Sequence, residues 1–117
     1  MNIEEIRFYC LQKAATTESF PFDETTLVFK VADKMFALLS LEVPYSINLK
    51  CEPEKALALR EKYYFILPGY HMNKKHWNTL QLDDKPPVEL IKSLIDHSYD
   101  LVVDGLPKKT RLAWNLA

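Results

Sequence analysis

The amino-acid sequence predicts an α+β domain, a two-layer sandwich in which an antiparallel β-sheet carries helices on one face and leaves the other at least partly to solvent. Three observations lead there. An amphipathic helical pattern opens the chain. Two β-forming stretches separated by two residues are then followed by a third that alternates strictly between apolar and polar. A second helix and a short strand precede a long helical pattern stopped by Gly105 and Pro107. With 117 residues and a mass of 13.7 kDa there is room for one core, so residues 1–117 form a single domain.

Taken in order, Ile3, Ile6, Cys10 and Ala14 fall on one side of a helix whose other side carries Glu4, Glu5, Gln12 and Lys13. Residues 16–26 hold Pro21 between two phenylalanines, with small polar neighbours, and read as a loop whose Phe20 and Phe22 cover a core edge. Residues 27–31 and 34–41 are strands of a hairpin turned by Ala32 and Asp33. In residues 46–51 Ile47, Leu49 and Cys51 alternate with Ser46, Asn48 and Lys50, which marks a strand with one wet face. Pro53 opens a second helix at the position where its missing N–H costs nothing, and that helix ends near Tyr63. The run Tyr63, Tyr64, Phe65, Ile66, Leu67 has β character but is followed by a Pro68-Gly69 turn signal, so a further strand within residues 64–71 stays open. Residues 77–82 form a short strand with Trp77, Thr79 and Gln81 on one face. Val88, Ile91, Ile95 and Val102 then mark the last helix.

Composition sets limits on function. With 48% apolar and 26% charged residues, the chain has what a packed domain needs. No apolar run approaches the roughly 20 residues of a membrane span, and Glu4 and Glu5 stand where a secretory signal would carry lysine, so a cytoplasmic protein is expected. Cys10 and Cys51 make no CxxC pair and are expected as buried thiols.

The net charge of -1 conceals an uneven distribution. Residues 1–24 carry -3, residues 25–52 are neutral, residues 53–80 carry +3, residues 81–105 carry -4 and residues 106–117 carry +3. The first basic block interleaves Arg60, Lys74 and Lys75 with Tyr63, Tyr64, Phe65, Tyr70 and Trp77. Cations release counterions from phosphates and exposed aromatics stack on bases, so the mixture suits a nucleic-acid surface.

Other chemistries fare worse. His71 and His76 complete no metal-ligand spacing, and only two glycines, Gly69 and Gly105, exclude both the dinucleotide fingerprint and the phosphate loop. Asp96, His97 and Ser98 imitate a catalytic triad, but neighbours on a helix point about 100° apart and cannot converge. Asp83 and Asp84 are expected to cap the helix that follows Pro86 and Pro87. Glu4, Glu5, Glu18, Asp23 and Glu24 read as a solvated acidic ridge.

The run Pro68-Gly69-Tyr70-His71-Met72-Asn73-Lys74-Lys75-His76-Trp77-Asn78-Thr79 resembles the MmcQ/YjbR family of small bacterial proteins. The likeness extends through Phe20-Pro21-Phe22-Asp23, Val28-Phe29-Lys30-Val31, Ser46-Ile47-Asn48-Leu49-Lys50-Cys51 and Leu106-Pro107-Lys108-Lys109, over essentially the whole chain. The resemblance implies a fold similar to CyaY and frataxin and a DNA-binding role through a double-wing arrangement of strands and loops. The Ala32-Asp33 turn departs from the Gly-rich or Asn-rich turns of the family. Kinship with frataxin also raises iron handling, against which the first helix carries few carboxylates.

The resulting expectation is a monomeric, non-catalytic DNA-binding module without cofactor or metal. Lys30, Lys50, Lys74, Lys75, Lys108, Lys109 and Arg111 would contact phosphates, Tyr70, His76 and Trp77 would pack against sugar or base, and Asn73 would read a base edge. The alternative is a small-ligand or protein-interaction module whose pocket gathers Tyr70, His71, Asn73, His76 and Trp77. An enzyme using His71 or His76 as acid or base is the third reading.

Overall fold

Asn2 and Glu5 close a reciprocal capping box at the start of helix α1 (Ile3–Leu11), which turns Ile6 and Cys10 inward one turn apart. The computed structural model describes residues 1–70 and 72–116. Helix α1 ends at its cap, Gln12, so Ala14 lies beyond it.

The segment expected as a loop begins with a strand, β1 (Thr16–Ser19), which pairs antiparallel with β2 (Thr26–Val31). Its four residues are all polar or charged and sit at the sheet edge, so no apolar alternation announces them. Strand β2 turns into β3 (Lys34–Ser40) through Ala32 and Asp33, both at positive φ, 47° and 69°, as a type I′ hairpin turn requires. The register steps between Phe29 and Lys30: Phe29 faces Ala37 but Lys30 faces Met35, which leaves Phe36 without a partner on β2.

Strand β4 (Ser46–Lys50) pairs with β3, and the chain then enters α2 (Pro53–Lys62), whose first N–H groups donate to the Glu52 carboxylate. Strand β5 (Ile66–Pro68) is the additional strand left open by the sequence, and it pairs with β6 (Trp77–Gln81). The order across the six-stranded sheet is β1-β2-β3-β4-β6-β5, antiparallel throughout.

Helix α3 (Val88–Asp104) lays a stripe of Ile91, Leu94, Ile95, Ser98 and Val102 against β3 and β4. It meets Phe29, Phe36, Leu39, Ile47 and Leu49, each at most 2% exposed. Burying each such side chain contributes roughly 1.5–3 kcal/mol. A short helix α4 (Lys108–Ala113), unforeseen in the sequence, follows Pro107. Asp83 and Asp84 do not cap α3. They form a 3-10 turn after β6, and Asp83 accepts the backbone N–H of Tyr45 at 3.0 Å, while the α3 cap position is Pro87. Among the described residues no helix is long and apolar enough to cross a membrane.

Candidate nucleic-acid interface

Antiparallel register decides which side chains meet at each end of the sheet. The end of β2, the start of β3 and the end of β4 coincide, and Lys50 pairs with Trp77 at the start of β6. One rung further on, the Cys51 N–H donates to the His76 carbonyl at 2.7 Å. Lys30, Lys34 and Lys50 are thereby drawn to one end, and the loop carrying Lys74 and Lys75 enters β6 there. Helix α3 finishes there as well, because Val102, Leu106 and Pro107 line a cavity of about 390 Å³ with Lys34, Lys50 and Trp77. Lys108 and Lys109 follow Pro107 directly. Pro107, which leads into the second basic block, therefore lies at the cavity that Trp77 lines beside the first.

On the helix-free face of this half, Thr17, Lys30, Met35, Lys50 and Trp77 succeed one another across β1, β2, β3, β4 and β6, with no carboxylate among them. Asp33 and Asp104 remain at the margin, and the Glu52 carboxylate is committed to the start of α2. At the opposite end Asp23 and Glu24 precede β2, Glu42 follows β3, and Asp83 and Asp84 follow β6. The fold therefore separates charge that the sequence interleaves.

The segment between β5 and β6 folds back over the helix-free face. Met72 packs with Val28, Leu38 and Trp77, and Gly69 lies so close to Trp77 that an added Cβ would come within 2.9 Å of the tryptophan Cβ. Trp77 is only 8% exposed, so it is unavailable for stacking on a base, contrary to the sequence expectation. The apolar neighbours on β2 and β3 already cover its ring. Asn73 is exposed, but its side-chain oxygen accepts the Lys75 N–H at 2.9 Å and shapes the loop. Tyr70 is exposed, and the Lys74 ammonium stands over its ring at 5.3 Å. The Lys74 carbonyl accepts from Arg60 Nη2 at 2.6 Å, while Arg60 Nε donates to Asn78 Oδ1 at 2.7 Å. Arg60 thus ties α2 to β6 and to the loop. Among the described residues the Nε of Arg111 is enclosed without an acceptor. His71 lies outside the described residues.

Among the described residues, two members expected in the alternative pocket, Tyr70 and Trp77, line separate cavities. Tyr70 lines a cavity of about 320 Å³ with Asn48, Thr79, Gln81 and Asp84, whereas Trp77 lines the separate basic cavity. The cause is the fold-back of the loop, which sends Tyr70 along the sheet and leaves Trp77 at its end.

Comparison with known proteins reaches the same architecture. The YjbR family model matches residues 11–101. The chain belongs to the YjbR family. It is 36% identical to YjbR of Escherichia coli K12 over 112 residues, 95% of each chain. It is 45% identical to YbdF of Escherichia coli O157:H7 over 92 residues, 77% of this chain and 75% of the relative. A crystal structure of a Deinococcus radiodurans protein with a DUF419 domain superposes with a TM-score of 0.91 at 39% identity, covering 99% of this chain and 89% of that one. A Pseudomonas syringae protein gives a TM-score of 0.75 at 33% identity over 86% and 98% of the two chains.

In this YjbR-family chain, Asp96, His97 and Ser98 turn three ways. Asp96 accepts from Tyr9 and Lys13 at 2.7 and 2.6 Å. Burial raises its pKa, but those two bonds together with the Lys13 and Lys92 charges outweigh it and hold the carboxyl below its usual range. Neutral His97 accepts the Glu52 N–H at 3.2 Å through Nε2, and burial followed by the Lys55 charge keeps its pKa low. Ser98 bonds the sheet. Among the described residues no group of three His, Cys, Asp or Glu side chains is placed to share a metal ion. Lys34 is the member of the basic end that sequence reasoning missed. Its segment is neutral, and only the hairpin register brings it beside Lys50.

Proposed function

We propose that this YjbR-family protein binds duplex DNA without catalysing a reaction on it, as a cytoplasmic monomer. Its contacts are chiefly to the phosphate backbone, through Lys30, Lys34, Lys50, Lys74, Lys75, Lys108 and Lys109. The observation that carries the reading is the placing of Lys30 and Lys50 on a carboxylate-free half of the sheet face, with Lys34 in the cavity beside Lys50. Side chains spread over several strands fit successive phosphates and carry little base information, so sequence preference is weak. Non-specific complexes of this kind have dissociation constants of roughly 10⁻⁴ to 10⁻⁶ M at physiological salt, and detection therefore starts at low ionic strength.

The test is a salt titration of binding to labelled duplex DNA. Each phosphate contact contributes a slope of about -0.9 in log-log form. The Lys34→Ala/Lys50→Ala and Lys74→Ala/Lys75→Ala pairs are each expected to flatten it by about two contacts. Absence of binding at low salt, or a slope indifferent to both pairs, overturns the reading.

A further inference from the structure

We propose that the cavity between the start of β3, the end of β4 and the α3–α4 corner binds a small organic anion, a carboxylate or phosphate monoester carried on an apolar body. This goes beyond backbone contact with DNA and does not rest on it.

The cavity encloses about 390 Å³, which falls within the range of roughly 300–1,000 Å³ for small-molecule sites. Its polar side chains are all donors. Lys34 and Lys50 take part in no ion pair among the described residues. Trp77 is 8% exposed, yet its indole N–H has no protein acceptor among the described residues. Buried indole N–H groups ordinarily find a partner. Trp77 lines this cavity.

No lining side chain is a carboxylate. The last carbonyls of α3 are taken: those of Leu101 and Val102 accept the Gly105 N–H, and that of Val103 accepts the Leu106 N–H. Val102, Leu106 and Pro107 supply an apolar wall opposite the lysines. Two ammonium groups beside the Trp77 indole recognise anionic oxygens, and the wall recognises what carries them. A bare, fully hydrated anion uses only half of this lining.

The experiment follows the Trp77 indole ¹H–¹⁵N resonance of the full chain during titration with 2-naphthoate and with 2-naphthyl phosphate. The neutral 2-naphthol and inorganic phosphate are run in parallel, and the resonance is assigned by its loss in Trp77→Phe. Saturable shifts with the two naphthyl anions below about 1 mM are expected, and the tighter of the two identifies the head group. Lys34→Met and Lys50→Met are each expected to weaken binding about fivefold or more, with Lys62→Ala neutral. No saturable shift, equal binding of 2-naphthol, tighter binding of inorganic phosphate than of both naphthyl anions, or indifference to both methionine variants overturns the proposal. Both lysines reach solvent, so the variants fold whether or not the site is real.

Discussion

The hydroxyl of Ser98 stands where the next rung between β3 and β4 would be, donating to the carbonyl of Phe36 and accepting the N–H of Lys50 at 2.9 Å. Pairing runs Leu39 to Ile47, Leu38 to Asn48 and Ala37 to Leu49, so Phe36 would face Lys50 next. The bulge at Phe36 parts the strands at that point, and a side chain from α3 restores both backbone partners.

Ser98→Ala leaves a buried donor and acceptor unpaired, at a cost of about 1–3 kcal/mol. A lowered urea midpoint with an unchanged m-value is the expected outcome. A midpoint equal to wild type would mean that the strands close the gap directly.

Gly69→Ala forces a methyl to within 2.9 Å of the Trp77 Cβ and 3.1 Å of its carbonyl oxygen. Overpacking of this kind costs about 1–3 kcal/mol. Because backbone cannot yield as a flexible side chain would, the strain displaces the loop carrying Tyr70 and Met72. Thermal unfolding measures the cost, and the Trp77 indole resonance reports the displacement. Wild-type values in both would contradict this close approach.

Asp33→Gly relieves a non-glycine residue held at φ 69° in the β2–β3 turn. A gain of about 0.5–1 kcal/mol in stability is expected. The same change removes a carboxylate from the margin of the basic end, so DNA affinity at low salt should rise with it. Lower stability would show that the aspartate side chain supports the turn.

Protonation of His97 should couple to folding. Its folded pKa lies below the ordinary 6.5 through burial and then the nearby Lys55 charge. The unfolded chain therefore takes up this proton first as pH falls, and the stability contribution is full above 6.5 and declines as pH drops through that value toward the folded pKa. Asp96, also held low, loses its contribution at still lower pH. His97→Gln, which keeps an acceptor for Glu52, is expected to flatten the fall in urea midpoint between about pH 7 and 5. An unchanged slope would assign that fall to other groups.

Neither cysteine should react in the native state. Burial pushes the Cys10 thiol up to about 12 and raises that of Cys51 as well. At mildly alkaline pH both stay protonated and enclosed. Labelling by a thiolate-directed reagent should therefore appear only across the unfolding transition, and one equivalent of rapid native labelling would contradict the burial.

Much of the fold was legible because it rests on local pattern. Strict alternation in β4, hairpin spacing around Ala32 and Asp33, and the apolar stripe of α3 are properties of neighbouring residues. Strand β1 was not legible, since four polar residues at an edge take their structure from β2. The stretch from Gly69 to Trp77 was legible as chemistry but not as geometry. Its tryptophan and asparagine are the residue types of a nucleic-acid surface, yet one fills an apolar cluster and the other caps a turn.

The sequence by itself determined the helix and strand periods, the single core, the family, and a charge total near neutrality made of opposed blocks. Only the tertiary structure decided what those blocks face. Antiparallel pairing brings β2, β3, β4 and β6 to a common end, and the α3–α4 corner, up to Pro107, returns there. Contacts between residues far apart in the chain depend on register, and register is set by the whole sheet rather than by any segment.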